Sequence, residues 1–190
     1  YGAIDELVVG DPRLLATDLG PVIDLDAHRA LTAYVDEHER SVSHRYALGA
    51  AHEHGLFVAP TVIELERASQ LTREVFGPVL HVVRYSPKRL DALVDEINAL
   101  GFGLTLGVHT RIDATAQAIA SRARVGNVYV NRNMIGAVVG AQPFGGCGLS
   151  GTGPKAGGPH YLPRFATEQT VTINTAAVGG NATLLSLGES

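Results

Sequence analysis

The sequence predicts an α/β fold built on a parallel βαβαβ sheet. Two observations carry the α/β class. Between Val79 and Asn131, strand-like and helix-like segments alternate in the order strand, helix, strand, helix, strand, with short connections. That order favours parallel pairing with right-handed crossovers. The composition, 45% hydrophobic and 18% charged over 190 residues, is that of a packed globular chain rather than a disordered one.

Each element has its own local signal. Val79–Tyr85 is rich in β-branched residues and lies between Gly77-Pro78 and Ser86-Pro87, so it reads as a strand. Ser86 then serves as N-cap and Pro87 as the first helical residue. Leu90, Leu93, Val94 and Ile97 follow at helical spacing, and Gly101 is the stop. Leu104–Thr110 is the next strand. Asp113 is expected to cap a second helix with Ala116, Ile119, Ala120 and Ala123 on one face, ended by Gly126 before the strand Asn127–Asn131. Upstream, a helix is expected over about Asp26–Arg40 and an extended segment over Leu56–Glu64. Downstream, Gly140–Pro163 is a Gly/Pro-rich stretch too long for a plain connection, and long ordered loops usually carry function. A closing strand at Thr170–Asn174 precedes a tail of small residues. The opening residues Tyr1–Leu7 read as the end of an amphipathic helix, from which the chain is expected to be a piece of something longer.

Charge and composition narrow the function. A net charge of −4 without a basic cluster gives no electrostatic reason to expect nucleic acid. No apolar run approaches the roughly 18–20 residues that span a bilayer; the longest, Ile135–Gly140, has the length of a strand. A single cysteine, Cys147, suits a reducing, cytoplasmic compartment.

Four constellations invite chemistry. Gly146-Cys-Gly-Leu-Ser-Gly151 matches the dinucleotide fingerprint G-x-G-x-x-G, but that motif needs a helix directly after it, and Thr152-Gly153-Pro154 and Gly157-Gly158-Pro159 rule one out. Cys147 as a nucleophile lacks a local base, His160 being held only by a glycine-rich neighbourhood. His52 and His54 share a side only on a strand and have no third metal ligand at a suitable spacing, so no metal is expected. Glu74-Val-Phe-Gly-Pro-Val79 is different. Glu74 and Phe76 would face one way beside a Gly-Pro turn, where a carboxylate can accept two ribose hydroxyls and an aromatic face can pack a planar ring. A surface Glu beside a core Phe is the other reading, and the pattern leaves both open.

Taken in order, Glu74–Val79, the alternating unit, Gly126-Asn-Val-Tyr-Val-Asn131, Gln142-Pro-Phe-Gly-Gly146 and Gly148-Leu-Ser-Gly-Thr152 resemble the aldehyde dehydrogenases over essentially the whole chain. Val8–Pro12, Asp18–Ile23, Val130–Gly140, Gly151–Pro159 and the tail Ala177–Leu185 resemble in particular the branch that oxidises L-glutamate γ-semialdehyde (1-pyrroline-5-carboxylate), in the form fused to a proline dehydrogenase in a bifunctional bacterial enzyme of proline catabolism.

The resemblance implies NAD as cofactor, with Glu74 on the nicotinamide ribose and Phe76 near the nicotinamide ring. FAD would belong to the parent only if a proline dehydrogenase domain lies upstream. It implies an aldehyde-anchor loop at residues 140–163, in which the backbone N–H groups of Gly157 and Gly158 hold the α-carboxylate of glutamate semialdehyde and Phe165 lines its aliphatic part. Residues 1–165 would then be the latter half of an aldehyde dehydrogenase catalytic domain, and 166–190 an oligomerization strand and tail that pair with a partner subunit of a homo-oligomer. In this family a thiolate attacks the aldehyde carbonyl, hydride passes to NAD and water releases the acid. The motif that carries that cysteine is absent from these residues, and Cys147 inherits no role, so no catalytic residue is assigned and the remainder of the parent chain is an expected partner. A non-catalytic module for assembly or for shielding a substrate tunnel is the competing reading; intact Glu74, Phe76, Gly157 and Gly158 argue against it.

Overall fold

The structure is a computed structural model and describes residues 1–135 and 140–174. It forms two compact units, Tyr1–Gly136 with Gly145–Gly153 and Ala137–Phe144 with Pro154–Ser190, so the glycine-rich stretch is divided between them. Most of the apolar run beginning at Ile135 and all of the tail beyond Asn174 lie outside the described residues.

The first unit is α/β. After a short α1 (Gly2–Asp5), helix α2 (Leu25–Glu37) starts where the Asp24 carboxylate accepts from the Ala27 N–H at 2.7 Å. Asp24 is the N-cap that the expected start at Asp26 misses, and it satisfies one of the donors a helix start leaves open. The helix ends three residues before the expected Arg40, and a 3-10 turn, Glu39–Ser41, leads into β1 (Val42–Arg45). Strand β2 (Thr61–Leu65) is buried at four of its five positions, with Ile63 at 0% exposure. It can be, because it is central: β1 pairs with it antiparallel and β3 (Val79–Val83) pairs with it parallel, Thr61 opposite Val79 through Leu65 opposite Val83. Tyr34 of α2 closes over Ile63 and Leu65, with Val42, Leu71, Val75 and Val79 packed around them.

The second strand-helix-strand stretch follows the expected order. Ser86 takes the N-cap position, without a side-chain capping bond, of a 3-10 turn, Pro87–Arg89, that runs into α3 (Leu90–Ala99), and Gly101 follows its end at φ +80°. A two-residue strand β4 (Phe102–Gly103) precedes β5 (Thr105–Val108), and α4 (Asp113–Arg122) leads to β6 (Asn127–Val130), which pairs parallel with β5. Ile112 rather than Asp113 takes the N-cap position of α4, and Asp113 sits in the first turn, where its charge still favours the helix dipole. The end of α4 is closed from α3: Asn98 donates to the Arg122 carbonyl at 2.9 Å and accepts from the Arg124 N–H at 2.7 Å. Leu93 and Ile97 of α3, Leu106 and Val108 of β5 and Ile119 of α4 line a cavity of about 260 Å³; the face read from helical spacing is turned inward in α3 and at Ala116, Ile119 and Ala123 of α4, while Ala120 is exposed.

Two features go beyond the sequence reading. The parallel neighbour of β3 is β2, while β5 and β6 form a separate two-stranded sheet, so the alternating unit is not one continuous ladder among the described residues. Asn131 adopts φ 54° and its side-chain amide pairs with Thr110 in both directions at 2.9 Å, extending the β5–β6 ladder by one mock residue. Finally β7 (Cys147–Gly148) pairs antiparallel with β4.

In the second unit, Phe144 and Ala156 exchange backbone hydrogen bonds at 3.1 and 3.0 Å, and Leu162–Phe165 form one 3-10 turn. The expected closing strand at Thr170–Asn174 forms no ladder with any described residue, and Val171 and Ile173 are 71% and 73% exposed.

Candidate functional site

Residues 74–76 read exposed, partly buried, exposed. Val75 is packed against Tyr34, Ile63 and Leu65, whereas Glu74 is exposed and Phe76 is 90% exposed. Glu74 and Phe76 are thus exposed on either side of the partly buried Val75, and Phe76 is not packed in the core of the described residues. Both side chains border an open cleft of about 220 Å³ whose other wall is α2, with Ala27, Ala30, Leu31 and Tyr34. A free carboxylate two residues from a free aromatic face can bind a sugar diol and an adjoining flat ring.

Behind this rim lies a group the sequence does not announce. The Tyr34 hydroxyl is hydrogen-bonded to Nε2 of His81 on β3 at 2.9 Å, and His38 Nδ1 donates to the Tyr34 carbonyl at 2.9 Å. Burial, reinforced by the nearby His38, pushes the His81 imidazole below its ordinary value of 6.5; burial pushes the Tyr34 hydroxyl up. A histidine with a lowered folded-state pKa binds fewer protons folded than unfolded. Its contribution to stability is therefore full above the ordinary value and is lost as pH falls through it. The thermal midpoint of the protein is expected to drop between about pH 7.5 and 5.5 by more in the native protein than in His81→Gln, which has no titrating ring. Equal drops would show that His81 carries none of the acid sensitivity.

In the second unit, Gly157 and Gly158 close a turn. The Gly158 N–H donates to the Lys155 carbonyl at 2.9 Å, Gly157 has φ +71°, and Asn131 is the one non-glycine residue with positive φ among those described, so Ala156 has negative φ. That combination is a type II turn, which requires a left-handed third residue and explains Gly157. The Ala156 carbonyl accepts from Phe144, so the Gly157 N–H, trans to it on the same peptide, points the other way. No acceptor for it occurs among the described residues, and Gly157 is exposed. Of the two amides named from the sequence, that of Gly157 is free to meet an anion and that of Gly158 is engaged in the turn. Phe165, 70% exposed, sits in the same unit with its ring edge-to-face on Tyr161, centroids 5.4 Å apart.

The other constellations resolve into packing. The Cys147 thiol donates to the Arg124 carbonyl at 3.0 Å, an arrangement that holds the proton rather than removing it. Residues 146–151 form a backbone-on-backbone turn: a Cβ on Gly151 would lie 2.3 Å from the Gly146 carbonyl oxygen, and no helix follows. His52 donates from Nε2 to the Val9 carbonyl at 3.0 Å and accepts at Nδ1 from the Gly49 N–H at 3.1 Å, which occupies both ring nitrogens. No group of three or more His, Cys, Asp or Glu side chains is placed to hold a metal among the described residues. No helix among them is long and apolar enough to cross a membrane.

Comparison with known proteins supplies the frame for these pieces. Residues 2–171 match the model of the aldehyde dehydrogenase family. The bifunctional protein PutA of Klebsiella aerogenes is 53% identical over 175 residues, covering 88% of this chain and 13% of that protein. A crystal structure of a variant of Bradyrhizobium japonicum proline utilization A (PutA) superposes with a TM-score of 0.82 at 61% identity, over 93% of this chain and 18% of that one. A 1-pyrroline-5-carboxylate dehydrogenase from Thermus with bound NAD gives 0.75 at 34% identity, over 86% of this chain and 32% of that one. The chain thus spans only a minor part of the relatives it matches. With its α/β order and a family match over residues 2–171, the chain belongs to the aldehyde dehydrogenase family.

Proposed function

We propose that this chain is the cofactor-rim and substrate-anchor part of an NAD-dependent L-glutamate γ-semialdehyde dehydrogenase that forms glutamate in proline catabolism. The observation that carries the proposal is the pair Glu74 and Phe76, turned outward together while Val75 between them is packed inward. Such a pair fits the nicotinamide ribose and ring: the carboxylate accepts the two ribose hydroxyls, and the aromatic face packs the flat ring. NAD, when bound, supplies the hydride acceptor.

The substrate side rests on the type II turn. A glutamate semialdehyde carries a carboxylate far from the carbon that reacts, and the exposed Gly157 N–H is a donor suited to it, because a glycine lets an anion approach the main chain closely. Holding that end of the molecule orients the other, and orientation alone can account for several kcal/mol of a barrier. The Gly158 amide, bonded to Lys155, keeps the turn shaped for this. Phe165 offers an apolar face for the methylene carbons. No residue of this chain is assigned to the covalent step. The exposed segment 166–174, with Val171 and Ile173 outward, fits a strand added to a partner subunit's sheet in a homo-oligomer.

Glu74→Ala in the full-length parent enzyme tests the cofactor reading. Hydrogen bonds to a charged acceptor contribute about 1.5–3 kcal/mol, so KM for NAD is expected to rise ~10- to 150-fold. Unchanged KM for NAD together with unchanged kcat would show Glu74 to be an ordinary surface residue.

A further inference from the structure

Glu74 and Phe76 stand on a segment that belongs to no helix or strand, so their direction depends on what holds its backbone. Three contacts to α2 do so, one at each end and one in the middle. The Arg73 guanidinium lies over the Tyr34 ring, 5.2 Å from its centroid. Val75 packs against the buried cluster that contains Tyr34. Gly77 approaches Leu31 so closely that a Cβ would lie 2.5 Å from Leu31 Cδ1, and Leu31 is itself buried. Leu31 and Tyr34 are three apart and so neighbours on one helix face. The far end of Tyr34 is tied to β3 through His81 at 2.9 Å, and a buried hydroxyl does not readily give up such a bond.

We infer that Tyr34 is a positioning residue for cofactor use: its ring, lying under the Arg73 side chain and within the cluster on which Val75 packs, sets the direction in which Glu74 projects. The inference rests on the proposed role of Glu74 in binding NAD. Tyr34 acts only through the segment above it. Misplacement of a binding group by about 1 Å can cost on the order of 100-fold in rate; Glu74 is exposed and can partly readjust, so a smaller effect is expected.

The test is a mutant cycle in the full-length parent enzyme, reading KM for NAD, KM for the semialdehyde, kcat and the thermal midpoint. Tyr34→Leu is expected to raise KM for NAD about tenfold, with kcat and the semialdehyde KM within about twofold of native. Tyr34→Phe keeps the ring and loses only the bond to His81. It is expected to lower the thermal midpoint while holding KM for NAD within about twofold. In a Glu74→Ala background, Tyr34→Leu should add less than about twofold, because the group it positions is gone. If Tyr34→Leu fails to fold, Arg73→Gln, at the surface, carries the same test with an expected rise of about threefold that is likewise absent in the Glu74→Ala background. Two outcomes overturn the inference alone: a Tyr34→Leu or Arg73→Gln effect confined to the midpoint, or effects that multiply with Glu74→Ala. An unaltered KM for NAD in Glu74→Ala itself overturns the cofactor reading, and this inference with it.

Discussion

On its own, this 190-residue segment is expected to form no NADH from L-glutamate γ-semialdehyde. Aldehyde oxidation of this kind needs a thiolate nucleophile beside a group that takes up its proton. The segment has one cysteine, and its thiol donates to the Arg124 carbonyl while its strand pairs with β4. A carbonyl oxygen accepts the proton in a hydrogen bond but cannot stabilise the anion left behind. A spectrophotometric assay of the purified segment with NAD and the semialdehyde checks this. Turnover within about tenfold of an intact relative, abolished by Cys147→Ala, would overturn both the expectation and the structural role given to that thiol.

A second large effect is expected at Gly157, and it is selective for substrate. If the Gly157 N–H holds the α-carboxylate, its direction depends on the left-handed backbone of the turn, φ +71°. Valine is strongly disfavoured there, so Gly157→Val should rotate the peptide and withdraw the donor. Loss of one bond to a charged group, about 1.5–3 kcal/mol, corresponds to a ~10- to 150-fold fall in kcat/KM for glutamate semialdehyde. Propanal has no carboxylate and should lose far less. Gly157→Asn separates direction from bulk: asparagine tolerates positive φ, and a Cβ at this position meets nothing within 4 Å. Activity on the semialdehyde is expected to survive largely in that variant. Both variants must first show native folding and native NAD binding. Equal proportional losses for the two aldehydes in Gly157→Val would reduce the turn to a structural element and remove the substrate assignment.

The legible part of this protein is the part governed by short-range rules. Val79–Val83 is bounded by Gly-Pro and Ser-Pro, Pro87 opens the 3-10 turn that runs into α3 and Gly101 follows its end, and the inward face of α3 and most of that of α4 follow from the 3.6-residue repeat. The exposure of Glu74 and Phe76 on either side of Val75 is a local pattern of the same kind. Caps were less so. Asp24 lies one residue before the first apolar position of α2, and Ile112 displaces Asp113 because Thr110 Oγ1 accepts from the Ile112 N–H at 3.1 Å and sets the turn earlier.

Strand partners could not be read, because pairing is a long-range choice. The same β-branched run at 79–83 would serve a ladder with 105–108, but β2 presents a strand buried on both faces that must be covered on both edges, and β3 takes one of them. The division of labour in the anchor turn was hidden for a similar reason. Two adjacent glycines look alike in the sequence, and only the closing bond from Gly158 to Lys155 and the pull of Phe144 on the Ala156 carbonyl leave the Gly157 amide free. Tyr34 shows the limit most plainly. Helical spacing places it on the apolar face of α2 with Leu31. That its hydroxyl meets His81 and its ring lies under Arg73 follows from elements 39 to 47 positions away in the chain, whose approach is decided by burying Ile63 and Leu65 between them. The sequence alone determined the strands at 79–83, 105–108 and 127–130 and the helices between them, since each depends on neighbours a few residues apart. The tertiary structure alone decided which strands pair, which glycine amide is left unbonded and what Tyr34 touches, since each depends on contacts that exist only once the core has closed.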